Sequence, residues 1–418
     1  MFLRKIIILF TSSILLGQSI HHAYGLGTFQ LDNDASSSGI SSRGLVPSFY
    51  RGISLTNPVT WNKMEYALLS GNYNGNEVES SDGINGISGV VNAQFSVPMG
   101  KDFAWGFGIK PVFNQQYLIT DVPFTQEIDD DTLTIQRSVD GSGGVTSLYS
   151  SFNFPITTNE HMAIEWNVLF GSLRKNSKFN IDQSTYHFFQ RQMYSGTYYR
   201  LFLSTDRFYS SKMPLNIYLM TSSSMNPMKV TQYSFQPFED INKNGFYDGS
   251  DVPSPVDIPS AEVDIYKEVF DPRELGVGFD YKYKENTFFT LELHRWKDEG
   301  FKYSELYPLR SLYVTQSDQL SFGLIRYANE IAFRLPQKLQ YRGGFYFKKE
   351  TLLDHANNVN EIGFSLGIGI KFGVTNNQID VAYKYGIRSG DPMWEETIQQ
   401  LTIGFQLGDR WFVKRRPK

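Results

Sequence analysis

The sequence predicts an all-β protein, a transmembrane antiparallel β-barrel of about 14 strands with an N-terminal hatch or plug segment. One observation is the composition, with 15% aromatic residues and 35 Gly among 418 residues. Another is the repeated alternation of apolar with polar or small residues, which suits strands that face lipid on one side and a lumen on the other. The third is an export signal in a chain whose remainder has no apolar run long enough for a transmembrane helix.

The start of the chain has the organisation of a cleaved signal peptide, predicted over residues 1–25. Arg4 and Lys5 precede an apolar run over 6–16, and small residues follow at 23–25. Residues 26–63 lack strand alternation. We expect them to form the hatch or plug, because a barrel this wide leaks when its lumen is empty. The barrel is expected over 64–412, and 413–418 form a basic C-terminal tail.

The alternation is clearest over 360–372, where Ile362, Phe364 and Leu366 are separated by Gly363 and Ser365. Alternation of this kind predicts strands over 64–73, 85–98, 102–119, 131–156, 161–177, 187–205, 214–235, 273–284, 286–297, 318–334, 339–351, 360–372, 377–388 and 397–408. A soluble sandwich would show the same period with its apolar face inward. The length of the strands favours a membrane barrel.

The joints between these strands alternate in length. Short joints such as "PMGKD", "YKEN" and "FGVTNN" alternate with long ones such as "NYNGNEVESSDGING", "TDVPFTQEIDDD" and the stretch 236–272. Short periplasmic turns and long extracellular loops are typical of outer-membrane barrels, whereas a sandwich has no reason to alternate in this way. The stretch 236–272 is therefore expected to be a long extracellular loop.

This loop contains "DINKNGFYDGSD", which has the spacing of a calcium-binding loop. The residues expected to supply oxygen ligands at positions 1, 3, 5, 7, 9 and 12 are Asp240, Asn242, Asn244, Phe246 through its carbonyl, Asp248 and Asp251. Gly245 stands at position 6, where the turn requires a residue without Cβ. Asp251 replaces the usual Glu, so closure of the site by a bidentate ligand is not assured. We expect a structural Ca²⁺ that orders an exposed loop; a solvated acidic turn is the alternative.

Composition excludes other classes of protein. A net charge of -4 argues against a nucleic-acid partner, and the absence of Cys argues against a disulfide scaffold. The histidines have no metal-binding spacing and no GxSxG motif occurs, so we expect no catalytic residues and no enzyme. The polar residues expected to line the lumen are Asp280, Lys282, Glu292, His294, Lys371, Asp380 and Lys384. Glu292 and His294 alternate on one strand and are expected to form a charge pair, and the other five are expected to pair with one another across strands. Binding of an anionic headgroup by these charges is the alternative.

Several stretches resemble the FadL/TodX-like outer-membrane transporters of long-chain fatty acids and hydrocarbons. "SLTNPVTW" is similar to the Asn-Pro-Ala hatch motif of that family, and "FSVPMGKDFAWGFGIKPVFNQQY" resembles its second and third strands. "GSGGVTSLYSSFNF" and "DPRELGVGFDYKYKENTFFTLELHRWKD" resemble its fourth strand and mid-barrel region. The resemblance implies a 14-stranded barrel with an N-terminal hatch. Asn57 and Pro58 match the first two hatch positions, and Val59 replaces the Ala.

A gap in the barrel wall is expected near Pro111. This residue lacks an N–H and lies within a strand-like run, and Gly141, Gly143 and Gly144 interrupt the next strand. In the resembling family a kink in the third strand opens a lateral exit for lipophilic ligands. An ordinary bulge, or a proline in the part of the strand outside the membrane, is the alternative.

The functional expectation is passive uptake of hydrophobic molecules, such as long-chain fatty acids or hydrocarbons, across a bacterial outer membrane through a lateral opening. The alternative is a secretion or cell-surface accessory barrel of the same family, which would bind a protein partner at its outer loops or C-terminal tail. An apolar pocket behind the hatch would favour transport. Structured outer loops over a filled lumen would favour the partner role.

Overall fold

The computed structural model describes most of the chain from residue 28 to 411. The residues left out of this description are 1–27, 30–33, 81–82, 101, 129–130, 207, 209–213, 255–261, 299–302, 304–305, 307–312, 330–333, 354–357, 374, 376, 391–393 and 412–418. The predicted signal peptide and C-terminal tail therefore lie outside the described residues.

Fourteen antiparallel strands form a closed barrel, as predicted. They are β2 (Ala67–Ser80), β3 (Gly83–Pro98), β4 (Ala104–Thr120), β6 (Asp131–Pro155), β7 (Glu160–Ile181), β8 (Ser184–Thr205), β9 (Leu215–Ser234), β13 (Pro272–Lys284), β14 (Thr287–Asp298), β15 (Val314–Arg326), β16 (Leu339–Leu352), β17 (Asn358–Phe372), β18 (Asn377–Gly390) and β19 (Trp394–Asp409). The wall closes where β19 pairs with β2, from Thr397 with Glu79 to Asp409 with Ala67.

Further short elements are not part of this wall. They are β1 (Thr28–Phe29), β5 (Phe124–Ile128), β10 (Phe238–Glu239), β11 (Val252–Pro253), β12 (Glu262–Phe270), the helices α1 (Ala35–Ser38) and α2 (Leu335–Lys338), and a 3₁₀ helix over Pro58–Lys63. No helix among the described residues has the length and apolar character needed to cross a membrane.

Two expectations about the joints were wrong. The stretch "NYNGNEVESSDGING" is not a loop, because β2 and β3 continue through it and pair from Asn72 with Asn92 to Ser80 with Gly83. The stretch 236–272 is not a plain loop either, since β10 and β11 form a hairpin and β12 adds to β9. The continued parts of β2 and β3, which are mostly polar, and the added strand β12 extend the wall at its long-loop end.

The outer face of the wall is apolar. Along β17 the exposed residues Ile362, Phe364 and Leu366 alternate with buried Ser365 and Gly367. The same alternation is present along β14 and β18. Apolar side chains exposed in neighbouring strands form a band that matches the hydrocarbon region of a bilayer.

Residues 34–64 lie inside the barrel and contact strands around much of its circumference. Trp61 packs against Gly106 in β4, Val46 against Gly278 in β13, and Ile40 against Gly344 in β16. A Cβ atom at Gly344 would come within 2.3 Å of the Ile40 carbonyl oxygen, so the wall accepts this segment only because a glycine stands there. We refer to residues 34–64 as the luminal segment.

Candidate functional site

The hatch residues predicted from the sequence lie at the start of the 3₁₀ helix in the luminal segment. Asn57 caps this helix by accepting a hydrogen bond from the Val59 amide at 3.2 Å, and its own amide donates to the Leu45 carbonyl at 2.6 Å. Pro58 occupies the first turn, where its missing N–H costs nothing. Val59 is fully buried, and its carbonyl accepts from Asn153 in the wall at 2.9 Å. The larger side chain at Val59 is therefore accommodated.

Glu292 is the main polar anchor of the luminal segment. Its Oε2 accepts from the Ser42 hydroxyl at 2.6 Å, the Leu45 amide at 3.1 Å and the Val46 amide at 3.4 Å. Its Oε1 accepts from the Arg43 amide at 2.8 Å. A buried carboxylate with several donors is well compensated for its loss of hydration. One wall residue thus holds a whole turn of the segment.

A chain of buried charges continues from this anchor across the lumen. The Arg43 guanidinium lies 3.0 Å from His294 Nδ1, and His294 Nε2 lies 3.3 Å from Glu274. Beyond Glu274 the network proceeds through Arg200, Glu165 and Lys110, with contacts of 2.8 Å from Arg200 to Glu274 and 2.9 Å from Lys110 to Glu165. The network spans β4, β7, β8, β13 and β14, and it ties the luminal segment to half of the wall.

The other predicted luminal residues face inward, and several of them have partners outside the predicted set. Asp380 pairs with Arg342 at 2.5 Å, and Asp280 accepts from Asn216 at 3.1 Å. The amines of Lys371 and Lys384 each lie 3.9 Å from an aromatic ring centroid, that of Tyr50 for Lys371 and that of Tyr346 for Lys384. Lys282 is half-buried near the short-turn end of β13.

Sequence reasoning missed the arginines and carboxylates that dominate the lumen. The missed residues are Arg43, Lys110, Glu165, Arg200, Glu274, Arg342, Glu361 and Arg388. Several of them stand at positions that alternate with apolar residues, such as Glu274 before Leu275 and Arg388 after Ile387. Their alternation with apolar residues could have placed them on the luminal face of the strands. Their partners could not be predicted, because Arg43 and His294 are separated by 251 positions in the sequence.

The wall has a seam between β3 and β4. These strands pair from Pro98 with Ala104 to Ala93 with Ile109, and the described pairing ends there although β3 continues to Gly83 and β4 to Thr120. Pro111 follows directly, and the register of β4 against β6 shifts between Pro111 and Phe113. A proline is tolerated here because the ladder with β3 has already ended.

β1 lies at this seam. It pairs with β4 through Thr28 with Asn114 and Phe29 with Phe113. Because β6 occupies the other edge of β4, β1 takes the edge that β3 leaves. The seam is also where the outer face changes character: Trp105, Phe107 and Ile109 are exposed and apolar, whereas Asn114 and Gln116 further along β4 are polar. Leu118, still further along β4, is again apolar and exposed, so the seam borders apolar as well as polar outer surface.

The predicted glycines do not open the wall between β4 and β6. These strands remain paired from Ala104 with Asn153 to Thr120 with Ser138. The Tyr117 ring instead packs against Gly141, and a Cβ at Gly141 would lie 2.3 Å from a ring carbon. Gly143 has a φ of +138°, and at Gly144 a Cβ would lie 2.4 Å from the Phe113 carbonyl oxygen. They permit close packing of strands around the bulge.

The calcium-type loop is held by hydrogen bonds that its own amides donate to its carboxylates. Asp240 accepts from the Asn244 and Gly245 amides at 3.2 and 2.8 Å, and Asp251 accepts from the Ile241 and Asp248 amides. The side-chain amides of Asn242 and Asn244 donate to the Asp248 carboxylate at 2.8 and 2.7 Å.

Hydrogen bonds from Ser250, and then from Asn242, lower the pKa of Asp248 to about 2, so this carboxylate is charged at neutral pH. Gly245 has a φ of +79°, as its position in such a loop requires. Among the described residues, no three carboxylates or histidines are grouped closely enough to hold a metal ion. The ligand set Asp240, Asn242, Asn244, the Phe246 carbonyl, Asp248 and Asp251 therefore stays a prediction from the spacing. Asp240 also lies 3.4 Å from His187 in β8, which joins the loop to the wall.

Comparison with known proteins identifies the family. The model of the BamG family matches residues 3–417. The chain belongs to the BamG family. No curated protein matches this BamG-family sequence.

Among solved structures, the barrel is similar to the "CymD monoaromatic hydrocarbon channel", with a TM-score of 0.57 and 11% identity over 92% of this chain and 100% of that one. It is similar to a Pseudomonas aeruginosa FadL homologue, with a TM-score of 0.53 and 10% identity over 92% of this chain and 99% of that one. It is also similar to the P. putida toluene transporter TodX, with a TM-score of 0.51 and 12% identity over 91% of this chain and 100% of that one.

These likenesses confirm the resemblance to FadL-type channels at the level of the fold. The BamG-family barrel has the fold of outer-membrane channels, and the predicted outer-membrane localisation is confirmed.

Proposed function

We propose that this BamG-family barrel is a passive channel for hydrophobic molecules, which leave the protein sideways through the seam between β3 and β4. The observation that carries the proposal is the end of β3–β4 pairing at Ala93 and Ile109, directly below Pro111. A hydrophobic molecule gains nothing by crossing a polar compartment, so lateral passage into lipid is the favourable path. The hydrocarbon channels that share the fold support the same class of substrate.

In this proposal β1 is the latch of the seam and the luminal segment is the plug. β1 covers two residues of the β4 edge that β3 leaves, so passage through the seam requires β1 to move. The luminal segment is held by Glu292 and Asn57 and blocks polar solutes from the lumen. In this proposal hydrophobic molecules pass through the seam, whereas the luminal segment excludes small polar solutes.

A reversible crosslink tests the latch, and the absence of native Cys makes it clean. Phe29→Cys with Phe113→Cys places two thiols at directly opposed positions of β1 and β4. Oxidation should lower uptake of a fluorescent long-chain fatty acid into proteoliposomes to the level of protein-free vesicles, and a reductant should restore it.

The matched control is Phe364→Cys with Tyr385→Cys, a directly opposed pair in β17 and β18 away from the seam. Oxidation of this pair should leave uptake unchanged. Equal uptake by the oxidised and reduced latch variants would refute the lateral route. Equal inhibition in both pairs would assign the effect to general rigidity of the barrel.

The second candidate is an accessory barrel that binds a protein partner. The observation that favours it is the little space left beside the luminal segment: the cavity lined by Arg43, Glu274 and Glu292 has a volume of only about 20 Å³, room for about one water. Strands β10, β11 and β12 also give the long-loop end an ordered surface. Gentle solubilisation from native membranes followed by mass spectrometry separates the two functions. A co-purified lipophilic molecule supports the channel, and a stoichiometric protein supports the accessory role.

We further propose that Ca²⁺ orders the 240–251 loop. Bound Ca²⁺ would draw the carboxylates of Asp240, Asp248 and Asp251 together and hold the β10–β11 hairpin on β8. Asp240→Ala with Asp248→Ala should make the stretch 236–272 protease-sensitive while the barrel stays folded, because the wall does not depend on the loop. Chelator should reproduce this effect in the wild-type protein. If chelator leaves protease cleavage of the wild-type loop unchanged, the proposal that Ca²⁺ orders this loop is wrong.

A further inference from the structure

A shallow groove of about 640 Å³ crosses the outer face of the wall from β13 to β18. Its lower side is one registered row of apolar residues, in which each member lies beside the next on the neighbouring strand. The row is Val277, Leu293, Leu320, Phe347, Ile362 and Ile387. Because these strands are remote from β3 and β4, the groove is separate from the seam.

The upper side of the groove is the next registered row, which begins with the apolar Leu275 in β13 and is polar from β14 to β18. It contains Arg295, Asp318, Lys349, Asn360 and Ser389. Arg295 and Asp318 form an ion pair at 2.6 Å, and Lys349 stands directly opposite Asp318 on β16. Two cations against one carboxylate leave this row with a net positive charge.

The positive charge continues one row further from the apolar band. Arg273 in β13 stands opposite Lys297 in β14, and both residues are exposed on the outer face. The face of β13–β16 above the apolar row therefore carries four cations, Arg273, Arg295, Lys297 and Lys349, and the carboxylate of Asp318. An apolar row and a cationic row meet at the height where lipid acyl chains give way to headgroups.

We propose that this groove binds a phosphorylated membrane lipid. The acyl chains lie along the apolar row, and the phosphate accepts hydrogen bonds from Lys349 and Arg295. A guanidinium and an ammonium are the side chains that favour phosphate oxygens, and at the membrane surface each contributes about 1 kcal/mol toward an anionic lipid. The apolar row favours a lipid over inorganic phosphate, because the latter has nothing to bury there.

Native mass spectrometry of the purified barrel, titrated with phosphatidylglycerol or with diacylglycerol, tests the proposal. Arg295→Gln with Lys349→Gln removes both phosphate donors and should weaken phosphatidylglycerol binding roughly thirtyfold. Diacylglycerol, which has no phosphate, should bind the wild type and the variant equally. Lys349→Gln alone should give a smaller loss, since the Arg295–Asp318 pair remains.

The matched control is Arg174→Gln with Arg191→Gln. These arginines are exposed and stand opposite each other on β7 and β8, away from the groove. Phosphatidylglycerol binding should stay within about twofold of wild type in this control. An equal loss in both double variants, an equal loss of diacylglycerol binding, or no loss in the groove variant would overturn the proposal. Heat-modifiable gel mobility confirms that each variant is folded.

Discussion

Glu292→Gln tests how firmly the luminal segment is held. The substitution keeps the size of the side chain but leaves only one acceptor oxygen where the carboxylate has two. The favourable orientation keeps that oxygen at the Oε2 position, which serves Ser42, Leu45 and Val46, and turns the amide nitrogen toward the Arg43 N–H. The Arg43 amide then meets a donor in place of an acceptor.

The cost follows from the strength of hydrogen bonds to charged groups. The bond from the Arg43 amide, about 2 kcal/mol, is lost, and the bonds from Ser42 and Leu45 each weaken by about 1 kcal/mol when the acceptor becomes neutral. The seated state of the segment is then destabilised by about 4 kcal/mol, or about a thousandfold in the ratio of seated to released protein. The wall itself should persist, because its ladders do not pass through this side chain.

Protease digestion of the luminal segment in proteoliposomes measures its release, and liposome swelling with a small sugar measures the leak. Both should increase in Glu292→Gln. The control is Glu361→Gln, the same change in a luminal carboxylate that contacts Tyr346 and Arg388 of the wall. A folded Glu292→Gln barrel with wild-type protection of residues 34–64 and no added sugar leak would refute the anchoring role.

Gly344→Ala should release the luminal segment, because its Cβ would meet the Ile40 backbone at 2.2 Å, whereas Gly343→Ala, whose Cβ has no atom nearer than 3.9 Å, should retain protease protection. Asn57→Ala removes the helix cap and leaves the Leu45 carbonyl unpaired, a cost of about 3 kcal/mol that a lower thermal midpoint of segment release should report. Pro111→Val should slow fatty-acid uptake with an unchanged amount of folded barrel; unchanged uptake would remove Pro111 from the route.

The membrane-spanning part of the fold could be predicted because lipid imposes a strict pattern. Each of the fourteen predicted segments corresponds to a wall strand, since every second side chain must be apolar where it faces hydrocarbon. The pattern fails beyond the apolar band. Residues 74–86 were predicted to be a loop because they contain Asn, Gly, Glu and Ser without regular apolar alternation. Cross-strand pairing nevertheless extends β2 to Ser80 and begins β3 at Gly83.

The candidate site could be predicted in part. Asn57, Glu292 and His294 stand out from the sequence through motif or phase, and all are buried in the lumen. Their partners depend on the path of the luminal segment, which no periodicity encodes. Pro111 lies close to the point where β3–β4 pairing ends, but the strand that departs is β3, whose sequence carries no proline there.

The contacts of the luminal segment constrain the order of assembly. It precedes every wall strand in the sequence, yet its seat includes strands as late as β19, where a Cβ at Gly404 would lie 3.0 Å from Ala35. Those surfaces do not exist until most of the wall has formed. The segment must therefore wait, unseated, while the sheet grows, and the wall either closes around it or admits it afterwards from the short-turn end. Contacts between positions so distant in sequence form late and slowly, so seating of the luminal segment should be a slow, late phase of folding.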